Sequence, residues 1–248
     1  MVSDQKEIIR RARVDLAAAL RWAERQGLSE GICNHFSFMI PGSGDRFLIN
    51  PQGRHWREIT ASSLLLLGAD GALIEGEAPP EPTAFFIHWR LHRAVPQARC
   101  VLHTHMPYAT ALTMLEEPEL QPVLQTALLF HDRIAYDPDY NGLVLDDAEG
   151  DRIAARLGNR SVLFLANHGV IVTGRTVHEA YDRLYYLERA CMAQVLALST
   201  GQRMKRIAPQ VAARTAQQIA GDPVQAQTEA HFEALKRILD KEAPDYRD

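Results

Sequence analysis

The run "RCVLHTHMP", residues 99–107, alternates with period 2 and stops at a proline, which reads as a buried strand ended by Pro107. On a strand, side chains two apart share a face. Val101, His103 and His105 therefore project together, while Leu102 and Thr104 point the other way. Two imidazoles on one face leave two options. Either each ring nitrogen finds a hydrogen-bond partner in the core, or the pair chelates a divalent metal. A third candidate ligand is His168 in "LFLANHGVIV", directly after an apolar strand and before Gly169, where the backbone can turn tightly. Strand ends are where a rigid sheet presents working side chains in exposed loops. Three neutral imidazoles with one position left open would make a catalytic type of metal site. His88 and His92, four apart in "FFIHWRLHR", are a rival pair at helical spacing. No glutamate follows His88 as helical zinc motifs require, so packing with local hydrogen bonds is the expectation there.

Around this strand the chain reads as alternating elements. Residues 5–26 keep a helical apolar spacing, with Gly27 as the residue after the helix. "HFSFMI" and "RFLINP" flank the turn "PGSGD" as a hairpin. "ITASSLLLLG" reads as one or two helical turns. "EAPPEP" is a loop leading into the helix "TAFFIHWRLHRAV". "PYATALTML" restarts as a helix with Pro107 in its first turn. Residues 116–150, rich in Pro, Asp and Gly, read mostly as loop. "SVLFLANHGVIVTG" is strand, tight turn, strand. A long helix follows from Thr176, whose capping box is completed by Glu179. The polar tail is helix-prone without a clear core stripe. The expectation is one α/β domain over residues 1–200 and a helical C-terminal extension over 201–248.

Composition narrows the class. The chain has 248 residues, 46% apolar and 23% charged, as in soluble globular proteins. Its net charge of −4 argues against an electrostatic nucleic-acid binder. No apolar run approaches the roughly 18 residues of a membrane helix, and "MVSDQKEIIRRARVDL" is too charged for a signal peptide. Cys33, Cys100 and Cys191, odd in number and set among apolar neighbours, read as reduced, buried thiols. The expected setting is the cytoplasm, with no nucleic-acid or membrane partner.

Three segments in order, "DRFLINPQGRHWREITASSLLLLGADGALIEG", "FFIHWRLHRAVPQARCVLHTHMPYATAL" and "LFLANHGVIVTGRTVHEAY", resemble the class II aldolase/adducin family over roughly residues 8–198. The resemblance implies a three-layer α/β/α fold with a mostly antiparallel central sheet. It implies a divalent metal on His103, His105 and His168, with Zn²⁺ expected first and Mn²⁺ or Fe²⁺ as alternatives. It also implies a homotetramer with active sites at subunit boundaries.

The departures from the family shape the expected function. In its sugar-phosphate aldolases a glutamate, the general base, stands four residues before the helical histidine that corresponds to His88. Here that position is Ala84. Glu81, in the proline-rich loop, substitutes only if the loop reaches the metal. The family's phosphate-binding loops correspond to Asn34-His35, Gln52-Gly53 and Pro82-Thr83, which offer a phosphate fewer hydroxyl donors and small residues. His35, Asn34, Gln52 and Gly53 are then contacts for a non-phosphorylated substrate. Retro-aldol cleavage needs a positioned base. Decarboxylation needs an electron sink and a later proton donor, and a metal supplies the sink. Tyr136, Tyr140 and His131 are candidate donors, and Arg133 is a candidate clamp for the substrate carboxylate. The expectation is a metal-dependent lyase acting on a small carboxylic acid, with decarboxylation ahead of retro-aldol cleavage. A non-haem Fe(II) oxygenase of aromatic or keto acids and a non-catalytic, adducin-like binding domain are the alternatives.

Overall fold

In the computed structural model of the chain, which describes residues 2–78 and 80–248 and the side chains outside 2–4 and 222–225, the strand read from "RCVLHTH" is buried along its length. It lies inside an eight-stranded sheet. From edge to edge the strands are β4 (Leu73–Glu75), β3 (Leu65–Leu67), β2 (Phe47–Ile49), β1 (His35–Met39), β5 (Cys100–Thr104), β8 (Gly169–Gly174), β7 (Val162–Leu165) and β6 (Ile134–Asp137). Neighbours are antiparallel except β6 and β7, which run parallel.

Alternation along these strands sorts the core into two layers. Phe36, Leu102, Phe164 and Val172 point to one side. There they meet α1 (Val2–Arg25), α3 (Pro107–Thr113), α5 (Val177–Ser199) and α7 (Asp222–Glu242). Val101, Leu163 and Ile171 point to the other side, onto α2 (Pro82–Ala94) and α4 (Asp147–Leu157). The result is the three-layer α/β/α architecture expected, with a mostly antiparallel sheet. The helix starts also follow the sequence. The Thr176 side chain accepts from the Glu179 N–H at 3.2 Å, and Pro107 occupies the first turn of α3.

Some readings are corrected. "SLLLLG" forms β3, because an apolar run with both faces covered carries no period that separates strand from helix. Residues 116–150 hold β6 and the first turn of α4 as well as loop. The tail does carry a core stripe. Phe232, Leu235 and Leu239 of α7 are buried in the cluster shared with α1 and α5, and a further helix, α6 (Pro209–Ile219), precedes α7 in the chain. Cys100 and Cys191 are buried as expected, whereas Cys33 is exposed. Pro79 of the predicted loop and Met1 of the N-terminal stretch lie outside the described residues. Among the described residues no helix is long and apolar enough to cross a membrane.

One registration positions everything that follows. His35 of β1 pairs with His103 of β5, and Ser37 pairs with Val101. These four side chains therefore share the face covered by α2.

Candidate metal centre

His103 sits near the end of β5, His105 just beyond it, and His168 in the turn between β7 and β8. Antiparallel pairing of β5 with β8 brings the two segments to one end of the sheet. One nitrogen from each of the three rings lies within 4.8 Å of the other two. Gly169 makes this approach possible. A Cβ there would stand 2.6 Å from the Thr104 carbonyl oxygen and 2.8 Å from the His105 ring.

Hydrogen bonds aim the rings. His103 Nδ1 donates to the Val170 carbonyl at 3.0 Å, and His105 Nδ1 is held by the Glu30 carboxylate. Each contact fixes the proton on Nδ1 and leaves the Nε2 lone pair free, as metal-ligating histidines require. His105 Nε2 is buried and has no hydrogen-bond partner among the described residues. A buried, unpaired imidazole nitrogen is costly unless something occupies it. Burial also keeps His103 and His168 neutral. It is the largest cause that lowers His103 well below the ordinary value, and it brings His168 to about 4, with His105 adding repulsion. Three imidazole nitrogens suit Zn²⁺ and other borderline divalent ions.

Behind the triad runs a line of buried side chains. His35 Nδ1 meets His88 Nε2 at 2.7 Å, and His88 Nδ1 meets the Ser37 hydroxyl. Ser37 Oγ meets His92 Nε2 at 2.7 Å, and His92 Nδ1 ends on the Ala98 carbonyl at 2.7 Å. The rival pair of the sequence is thus absorbed in a hydrogen-bonded line and lies outside the metal cluster. Burial holds His35 at about 3 and His92 at about 4.

The triad opens into a cavity of about 440 Å³, lined among others by Asn34, His35, Gln52, Glu81, Ala84 and Tyr140. Asn34, at φ +75°, accepts from the Glu30 and His105 N–H groups through Oδ1, leaving Nδ2 buried without a partner among the described residues. Ala84 is 1% exposed and gives the wall no carboxylate. Glu81 does reach the wall. Its carboxylate caps α2, accepting from the Ala84 N–H at 2.7 Å and from the Thr83 hydroxyl, and lies 4.0 Å from His35 Nε2. Tyr140 sits at the mouth, its ring centre 6.4 Å from that of His168.

Four expected residues are not brought to this cavity. Gly53 lies beside it in a turn at φ +79° but is not part of its lining. Tyr136 points into the core against Phe164, accepts from the Leu120 N–H at 3.0 Å, and is pushed up to about 12 by burial. His131 and Arg133 precede β6. Because β6 runs parallel to β7, and His168 follows the far end of β7, they occupy the opposite end of the sheet. Arg133 there lines a separate cleft with Arg175 and Arg183. Sequence reasoning missed Glu30 and Ser37. Of these Glu30 had no local signal, since its partner is 75 positions away. Ser37 was findable, because period 2 puts it on the face of His35.

Residues 14–195 match the family model described as the class II aldolase and adducin N-terminal domain. Over 239 residues the chain is 37% identical to a Caulobacter vibrioides protein provisionally named a class 2 aldolase, covering 96% of this chain and 92% of that one. It is 33% identical over 192 residues to Homo sapiens beta-adducin, covering 76% of this chain and 26% of that one. The crystal structure of an aldolase II superfamily protein from Pseudomonas syringae matches with a TM-score of 0.89 at 34% identity, covering 97% of this chain and 96% of that one.

Proposed function

The chain belongs to the class II aldolase and adducin family, and on that premise we propose that it is a metal-dependent lyase acting on a small, non-phosphorylated carboxylic acid. The observation that carries the reading is the convergence of His103, His105 and His168 within 4.8 Å, at a cavity of about 440 Å³. Those three residues would hold the ion, and Zn²⁺ fits their nitrogen donors. A divalent ion in this place supplies Lewis-acid polarisation of a substrate oxygen and the electron sink that loss of carbon dioxide requires.

The chain's own residues do the rest. Asn34 Nδ2 is a buried donor available to a carboxylate oxygen. Tyr140, at the mouth, is the donor this reading assigns for the proton taken up by the carbon that has lost carbon dioxide. Glu81 is committed to capping α2, and Ala84 cannot take up a proton. That supports decarboxylation ahead of retro-aldol cleavage, which needs a base. The reading extends to a cytoplasmic homotetramer. Leu143 beside the cavity is 72% exposed and Tyr140 55%, an apolar rim that a neighbouring subunit would cover. The similarity to beta-adducin admits a binding role, but a binding head has no need of three imidazoles aimed at one point.

The test is an assay of the zinc-loaded chain against small hydroxy and keto acids and against sugar phosphates. Release of carbon dioxide from an acid supports the proposal. Efficient cleavage of a sugar phosphate, with no acid consumed, overturns it.

A further inference from the structure

Hydrogen bonds along the line behind the triad have only one possible direction. The Ala98 carbonyl can only accept, so His92 carries its proton on Nδ1. A neutral His92 then has a lone pair on Nε2, and the Ser37 hydroxyl must donate to it. Ser37 has a single proton, so towards His88 it accepts, and His88 is protonated on Nδ1. His88 Nε2 is therefore an acceptor, and His35 must donate to it from Nδ1. What is left at the end of the line is the lone pair of His35 Nε2. That ring stands 4.9 Å, centre to centre, from His103, in the wall of the cavity. The nearest charged group is the Glu81 carboxylate at 4.0 Å, another acceptor.

We infer that His35 is a specificity-determining acceptor whose tautomer is set by Ser37, His88, His92 and the Ala98 carbonyl, so that the site takes a hydroxyl-bearing acid in preference to the corresponding keto acid. This rests on the metal-dependent reading above and narrows its substrate class to acids that carry a hydroxyl together with a conjugated carbonyl or aromatic ring, which receives the electron pair left by carbon dioxide; lactate and pyruvate below serve only as binding probes. A hydroxyl beside the metal donates a hydrogen bond to Nε2 and keeps its proton, whereas a keto oxygen sets one lone pair against another. His35 Nε2 and Glu81 Oε2, two acceptors 4.0 Å apart, themselves offer a keto oxygen no proton, and the Asn34 amide is left for the carboxylate. Ser37, His88 and His92 are positioning residues that act through His35.

Two measurements test this on the full chain. The first is a long-range nitrogen–proton correlation spectrum of the metal-free protein, which reads each histidine tautomer directly. The expected result is a proton on Nδ1 and none on Nε2 at His35, His88 and His92. A proton on His35 Nε2 overturns the inference. The second measures binding of lactate and of pyruvate to the zinc-loaded protein and compares their ratio with that in Ser37→Ala and His35→Phe. Intrinsic differences in chelation cancel in that comparison. The wild-type preference for lactate should fall by about ten-fold in His35→Phe. Ser37→Ala keeps the His35 ring but releases its tautomer, and should lose part of the same preference. If Ser37→Ala does not fold, the spectrum and His35→Phe still decide. An unchanged ratio in zinc-bound His35→Phe overturns this inference alone. Wild-type protein that binds no zinc overturns the metal reading and this one with it.

Discussion

His35 and His103 stand directly opposite one another on antiparallel β1 and β5, their ring centres 4.9 Å apart, yet their nitrogens face different tasks. His103 anchors Nδ1 on a backbone carbonyl and offers Nε2 to the triad. His35 spends Nδ1 on His88. Both are held neutral by burial, and so are His88, His92 and His168.

Acid should therefore unfold the metal-free protein early. A histidine whose folded pKa lies below its unfolded value, near 6.5, takes up a proton only on unfolding while the pH lies between the two. The stability from these five groups is complete above about 6.5 and is lost progressively as the pH falls from there, the loss ending at about 4 for His92 and His168 and about 3 for His35, where they titrate in the fold as well. Each group contributes up to about 1.4 kcal/mol per pH unit in that window. Urea unfolding at pH 7.5, 6 and 5 should show a midpoint that falls steadily. A midpoint flat from 7.5 to 5 would contradict the buried, neutral line.

Glu30 positions a ligand without being one. Its carboxylate holds His105 Nδ1 from a segment otherwise outside the sheet. Glu30→Gln should keep the fold and weaken zinc binding by roughly ten-fold or more, the usual effect of losing such a partner. A competition titration against a chromophoric chelator reads this. Unchanged affinity would mean that His105 is aimed by its backbone alone.

Gly169 is a glycine for lack of space. The Thr104 carbonyl oxygen, 2.6 Å from where a Cβ would stand, and the His105 ring, 2.8 Å from it, are closer than any Cβ tolerates. Gly169→Ala should cost on the order of 1–3 kcal/mol by overpacking and should weaken zinc binding as well, because the ring has to move. Thermal unfolding with and without zinc separates the two effects. A variant that binds zinc as wild type does would show that the His105 ring has room to spare.

Much of this was legible in the chain. Period 2 in "RCVLHTH" marked the central strand and put His103 and His105 on one face, and the residues around Asn167-His168-Gly169 marked a tight turn at a strand end. The strand β3 was not legible, since "SLLLLG" is apolar on both faces. Tyr136, His131 and Arg133 have the chemistry of proton donors and a carboxylate clamp, but the fold takes them away from the cavity. A strand four residues long carries its two ends to opposite sides of the sheet, and only Tyr140, beyond that strand, comes to the cavity. The line from His35 to Ala98 was hidden for another reason. It joins β1 to α2 across 53 positions, and only the register of β1 on β5 shows that Ser37 lies beneath His88.

The decisive experiment is zinc titration of the metal-free chain, followed by calorimetry and by metal analysis of the dialysed product, for wild type and for His103→Gln, His105→Gln and His168→Gln. The expected result is one zinc per wild-type chain, with binding weakened at least about a hundred-fold by each substitution, since every variant loses one of only three protein donors. Wild-type protein that takes up no zinc, or variants that hold it as tightly as wild type does, would contradict the three-histidine centre.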